Sequence, residues 1–224
     1  MLKERYDTLV FDLDNTLVDR NGAMRQTIGL WLQEQGNDRY NDSVLLDAVM
    51  EKDSWGYLDR FAFAEWLHGQ YAAKTDVPYN ADELLNWLFQ RIPGFMKPTP
   101  EVSDFLRLAA QSFRLGLATN GSSVNQRNKL RLAELTDLFA PEVVFISGEV
   151  GVPKPDPVFY QRMIEKAQLD PDRTLFIGDH PEHDIAGPKT AGFHACWVSY
   201  NRPFTGSIQP DLIVAKTTDL AQWL

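Results

Sequence analysis

The stretch "TLVFDLDNTLVDR", Thr8 to Arg20, decides the fold. Leu9, Val10 and Phe11 form a short apolar run of the kind that makes a buried strand, and the run ends on two carboxylates one residue apart, Asp12 and Asp14. Side chains alternate along a strand, so these two can point the same way, about 7 Å apart at two strand rises. Acid at the mouth of an apolar strand is expensive to bury without a partner, so its position calls for a chemical reason.

Five more runs read as strands: "FRLGLATN" (113–120), "EVVFISG" (142–148), "TLFIGD" (174–179), "ACWVSY" (195–200) and "DLIVA" (211–215). Helical patterns lie between most of them, at "PEVSDFLRLAAQS" (100–112), "VNQRNKLRLAEL" (124–135) and "DPVFYQRMIEKAQ" (156–168). Strands alternating with helices imply right-handed crossovers and a parallel sheet covered on both faces. The fold class read from the sequence is therefore α/β, a doubly wound, Rossmann-like parallel sheet.

Residues 19–98 break that alternation. "SVLLDAVMEK" (43–52), "FAFAEWLHGQYAAK" (61–74) and "ADELLNWLFQR" (81–91) carry apolar residues at helical spacing, and Asn80 with Glu83 forms a capping-box start for the last. This segment reads as an inserted helical domain, the core being 1–18 and 99–224. Its edges, "VDRNG" (18–22) and "PGFMKPTP" (93–100), read as hinges. It holds four of the six tryptophans, Trp31, Trp55, Trp66 and Trp87, as expected of a small helical unit filling a limited interior with large rings.

Composition narrows the partners. With 44% hydrophobic and 24% charged residues the chain is globular, and a formal charge of −9 argues against nucleic acid or an anionic membrane as partner. "MLKERYDTLVF" lacks the apolar region of a signal peptide, and no run reaches the ~20 apolar residues of a membrane span. A cytoplasmic protein, monomer or homodimer, is expected. The single cysteine, Cys196, sits in a strand pattern and reads as a core residue.

In a parallel sheet, ligands bind beyond the carboxyl ends of the strands. Asp12 and Asp14 follow the first run, Thr119, Asn120 and Gly121 the second, "GEVGVPKPDP" with Lys154 the third, and Asp179, with Asp184 five residues on, the fourth. Brought to one edge, these carboxylates would repel unless a cation sat among them, and hard oxygen ligands favour Mg²⁺. Singly, each residue has an ordinary explanation as a helix cap, a turn or surface polarity. Together they supply phosphoryl transfer: the metal and Lys154 neutralise a phosphate, Thr119 and nearby amides hold its oxygens, Asp12 attacks phosphorus and Asp14 moves the proton.

At "DLDNT", "ATN", the lysine of "VPKPDP" and "GDHPEHD", the chain resembles the haloacid dehalogenase superfamily, with 19–98 in the place of that family's helical cap. The resemblance implies that Asp12 forms an aspartyl-phosphate and that Asp14 is the acid/base and also gives its backbone carbonyl to Mg²⁺. It further implies that Asp12 and Asp179 are metal ligands, that Asp184 supports the metal from behind them, and that Thr119, the Asn120 amide and Lys154 bind the phosphoryl group. Thr16 would brace the loop. Dehalogenases of the family lack the second aspartate, and its sugar-phosphate mutases usually show "DLDG", so "DLDN" favours a phosphatase acting on a small phosphorylated metabolite. A phospho-aspartate receiver, which also uses a strand-end aspartate, a hydroxyl and a lysine, is disfavoured by Asp14 and by the insertion. His180 and His183 are expected to be solvent-facing loop residues rather than zinc ligands. Pro188 predicts a late or kinked helix after Asp184. Arg20, Trp55, Tyr57 and Arg60 are the candidates for substrate choice.

Overall fold

The structure is a computed structural model that describes residues 1–72 and 80–224. In chain order it runs through α1 (Leu2–Arg5), β1 (Thr8–Phe11), α2 (Arg20–Glu34), α3 (Ser43–Asp53), α4 (Arg60–Tyr71), α5 (Ala81–Phe95) and α6 (Pro100–Ala109). There follow β2 (Arg114–Thr119), α7 (Ser123–Leu132), β3 (Val144–Ile146), α8 (Ser147–Val150), α9 (Pro157–Ala167), β4 (Thr174–Gly178), α10 (Gly187–Thr190), β5 (His194–Val198) and β6 (Leu212–Val214). Ala73 and Lys74, the end of the "FAFAEWLHGQYAAK" pattern, lie outside the described residues.

The chain divides into two compact units, Met1–Val18 with Pro98–Leu224, and Asp19–Lys97. In the first, six strands pair in parallel in the order β3-β2-β1-β4-β5-β6. Successive crossovers run one way from β1 to β3 and the other way from β4 to β6, so the strand order reverses beside β1, where α/β sheets open their binding crevice. Residue alternation splits the interior as a two-faced sheet requires. Leu9, Phe11, Leu175 and Ile177 pack on one side with Phe105 and Leu130, while Val10 and Phe176 pack on the other with Phe159 and Met163. Cys196 is fully buried on the first side, and burial pushes its thiol up to about 12, so it is a core residue in fact.

The second unit is helical. Asn80 and Glu83 exchange the two bonds of a capping box at the start of α5, Glu83 N donating to Asn80 Oδ1 at 2.9 Å and Asn80 N to Glu83 Oε2 at 3.2 Å. Trp31, Phe63, Leu67, Leu84 and Leu88 fill its interior. Both expected hinges turn out helical at their inner ends. Asp19 caps α2 by accepting from Gly22 N at 2.8 Å, so Arg20 to Gly22 are already wound. At the other edge, α5 runs through Pro93 to Phe95. α2 carries no clean apolar stripe and includes Gly22 and Gly29, which is why periodicity alone passes over it.

Pro188 behaves as its chemistry demands. The chain after Asp179 winds as a wide π-type turn over Pro181–Ala186 and only then as α10, where Pro188 falls in the first turn and needs no N–H partner. Among the described residues no helix is long and apolar enough to cross a membrane.

Candidate active site

Register fixes the site before any side chain is considered. Phe11 lies level with Leu117 on one side and Ile177 on the other. The residues that follow, Asp12, Ala118 with Thr119, and Gly178 with Asp179, therefore stand at one height at the ends of three adjacent strands. Asp12 N still donates to Ile177 O at 2.8 Å, which holds the carboxylate at the strand's mouth.

Carboxylate oxygens of Asp12, Asp179 and Asp184 all lie within 4.8 Å of one another, and all three residues are buried. Lys154, 3% exposed, enters among them: its Nζ donates to Asp12 Oδ1 at 2.9 Å, Asp184 Oδ1 at 2.6 Å and Ala118 O at 2.8 Å. Burial alone would lower the Lys154 pKa, but Asp12 and Asp184 outweigh it and hold the ammonium charged, above its ordinary value. Burial pushes Asp12 up to about 7; Lys154 opposes this, and the neighbouring Asp184 and Asp14 add to it. The position of Asp184 depends on Gly178, where a Cβ would come within 2.3 Å of the Asp184 carboxylate carbon. His180 N donates to Asp184 Oδ2 at 3.0 Å, fixing the carboxylate from a second side.

Asn120 works from the neighbouring loop. Its side chain exchanges two bonds with Lys154, accepting from Lys154 N at 2.8 Å and donating to Lys154 O at 2.9 Å, so it tethers the lysine's backbone to the end of β2. Asp14 is held from α7. Lys129 Nζ donates to its two oxygens at 2.7 and 2.5 Å, and Gln126 Nε2 reaches Oδ2 at 3.1 Å. The loop carrying Asp14 is held by backbone: Asn15 sits at φ 58°, Asn15 N donates to Val18 O at 2.8 Å, and Tyr200 Oη donates to Asn15 O at 2.6 Å. Thr16 braces it differently from expectation. Its own hydroxyl is buried without a hydrogen-bond partner, and the brace is its carbonyl, which accepts from Thr217 Oγ1 at 2.6 Å.

The two histidines also depart from expectation. His180 and His183 are half-buried and stacked, ring centroids 3.6 Å apart, with His180 Nδ1 accepting from the backbone of Glu182 and His183. Burial lowers the His180 pKa to about 4, and burial likewise lowers that of His183. They line the wide turn rather than face solvent.

Three participants escape the sequence reading: Gln126, Lys129 and Arg202. Arg202 Nη2 approaches the carbonyl of Asp179 at 3.2 Å and its carboxylate at 3.5 Å, while Trp197 Nε1 donates to the same carbonyl at 3.0 Å. Gln126 and Lys129 stand one turn apart on α7, the helix that follows the turn at the end of β2. That placement is the one signal that could have found them.

A family model described as haloacid dehalogenase-like hydrolase matches residues 9–198, most of the chain. The chain belongs to that family. Glyceraldehyde 3-phosphate phosphatase of Pyrococcus furiosus is 28% identical over 211 residues, 88% of this chain and 82% of its own length. Phosphoserine phosphatase of Thermus thermophilus is 38% identical over 148 residues, 64% of this chain and 57% of its own. The magnesium-bound structure of the HAD-hydrolase YfnB from Bacillus subtilis matches with a TM-score of 0.77 at 24% identity, covering 98% of this chain and 99% of that one. This last likeness bears out the α/β fold class, and the expectation of a phosphatase-type hydrolase agrees with the named relatives.

The arginines expected to choose substrate prove to share one partner. Within the helical unit Asp53, fully buried, accepts from Arg20 Nη1 and from Arg60 Nη1, each at 2.6 Å. The turn beside them holds Ser54, Trp55 and Gly56 at φ 50°, 59° and 87°, and Gly56 lies against the Arg20 guanidinium, where a Cβ would meet Cζ at 3.1 Å. Two non-glycine residues in the left-handed region need such a clamp to persist.

Proposed function

We propose that this hydrolase is a Mg²⁺-dependent phosphatase that releases inorganic phosphate from a small phosphomonoester by way of a phosphoryl group carried on Asp12. The observation that carries the reading is the buried Asp12 carboxylate, gathered with Asp179, Asp184 and Lys154 at the mouth of the central strand.

The donor set suits the metal. Three buried carboxylates are gathered around Lys154, with Arg202 more distant, so acid outnumbers these two cations, and the donors of the cluster are hard oxygens. Asp12, Asp179 and the backbone carbonyl of Asp14 would hold Mg²⁺, with Asp184 supporting them. Bound there, the ion withdraws charge from the phosphoryl oxygens.

The chain's own groups do the rest. An Asp12 oxygen forms a bond to phosphorus as the ester P–O bond breaks, its electron pair leaving on the alcohol oxygen, and Asp14 gives that oxygen a proton. Water then attacks the phosphorus of phospho-Asp12, yields a proton to Asp14, and the Asp12–phosphorus bond breaks to return the carboxylate and inorganic phosphate. Thr119, the Asn120 amide and Lys154 hold the phosphoryl oxygens through both steps. We assign the helical unit as the cap, with Arg20, Trp55, Tyr57 and Arg60 as candidates for telling one phosphomonoester from another.

A panel of sugar phosphates, nucleoside monophosphates, phosphoglycolate, phosphoserine and glyceraldehyde 3-phosphate tests the reading through phosphate release. Release from at least one ester with Mg²⁺, abolished by EDTA and restored by excess Mg²⁺, is expected. Release from none, or release indifferent to EDTA, would reject it.

A further inference from the structure

The Gln126 side chain sits at a junction of the site. It is 2% exposed, and its Nε2 lies 3.1 Å from Asp14 Oδ2 and 2.6 Å from Thr119 Oγ1. An ionised carboxylate offers only acceptors, so the amide must present nitrogen there, and its two N–H bonds are both spent, one on each partner. The consequence for Thr119 is directional. Its oxygen accepts from Gln126, and its own O–H is left to donate elsewhere. Room for this arrangement comes from Gly121, at φ 145°, where a Cβ would stand 2.9 Å from the Gln126 side-chain amide carbon. Ser122 caps the helix one turn earlier, its Oγ accepting from Asn125 N at 3.3 Å, which sets the register that points position 126 inward.

We propose that Gln126 is a positioning residue for phosphoryl transfer: it locks the carboxylate of Asp14 and the hydroxyl of Thr119 into one rigid unit, so that the group serving the leaving oxygen and the group holding the phosphate keep a fixed separation. This rests on the phosphatase reading and adds to it a residue with no chemistry of its own. Lys129, on the same face of α7, grips Asp14 through both oxygens, and Gln126 couples that carboxylate to Thr119.

Leaving-group dependence tests the role. An ester of 4-nitrophenol departs without a proton, whereas an alkyl ester needs one from a well-placed Asp14. Gln126→Met keeps the side chain's length and removes both donors, and Gln126→Glu keeps its shape and sets a second carboxylate against Asp14. The readout is the ratio of kcat on the fastest alkyl ester, with phosphoserine included, to kcat on 4-nitrophenyl phosphate. Both variants are expected to lower that ratio about tenfold or more, Gln126→Glu the further, with thermal melting close to wild type. A merely structural residue would depress both substrates together, so an unchanged ratio in folded variants would overturn the inference and leave the phosphatase reading standing. Wild-type protein that turned over neither substrate would overturn both.

Discussion

Asp12→Asn is expected to lower phosphate release by about 10⁴-fold or more with every ester that wild type hydrolyses, since removing the nucleophile of a covalent mechanism leaves only binding and electrostatic help. The loss should occur in a folded protein. Asp12 is 7% exposed, and burial raises its pKa to about 7, with Asp184 and Asp14 adding to the rise. Asparagine keeps the shape and removes a charge from a cluster in which acid exceeds cation, so melting in metal-free buffer should be at or above that of wild type. Mg²⁺, which the proposed site would then hold with one carboxylate fewer, should raise the melting temperature of the variant less than that of wild type. Turnover within a factor of ten of wild type would remove Asp12 from the chemistry.

The second large effect concerns stability in the helical unit. Asp53 is fully buried between two arginine side chains, and truncating it to alanine strands both guanidinium groups, a loss of about 3–5 kcal/mol by the general cost of breaking a buried pair. Trp31, Trp55, Trp66 and Trp87 report on this unit, so denaturation followed by tryptophan fluorescence resolves the change. The pH dependence has a definite sign. Burial pushes the Asp53 pKa up, but Arg20 and Arg60 outweigh it and hold the carboxyl below its ordinary value of 3.8. Its contribution is therefore present above that value and is lost as pH falls through the folded pKa. Wild type should lose stability in that acid range more steeply than Asp53→Asn. Equal acid slopes, or an alanine variant as stable as wild type, would show that the clamp contributes nothing.

Much of the fold could be read from the sequence for a simple reason. Parallel strands buried on both faces must be continuous apolar runs, and the segments around Leu9, Leu117, Phe145, Phe176 and Cys196 were recognisable as such. The candidate site residues could be nominated because the same topology sends every strand end to one edge, so a polar residue just past an apolar run is a candidate by position alone. What stayed hidden lies where side-chain reach, rather than strand ends, decides. Gln126 and Lys129 look like ordinary polar residues on an exposed helix until the path of α7 brings them to Asp14. Arg202 lies in a loop that has no periodicity to read, with Tyr200 and Asn201 both at positive φ. α2 was missed because Gly22, Thr27 and Gly29 interrupt its apolar residues, and Asp53 gave no sign of its two arginines because they stand 33 residues before it and 7 after.

The central claim is that an oxygen of Asp12 takes the phosphoryl group. Acid-quenching the enzyme during turnover of a ³²P-labelled phosphomonoester with Mg²⁺, then mapping the labelled peptide, reads that bond directly. Label on the peptide containing Asp12, lost at alkaline pH as an acyl phosphate should be and absent from Asp12→Asn, is the predicted result. Label on a different residue, or steady turnover in which no covalent phosphoryl enzyme forms, would contradict it.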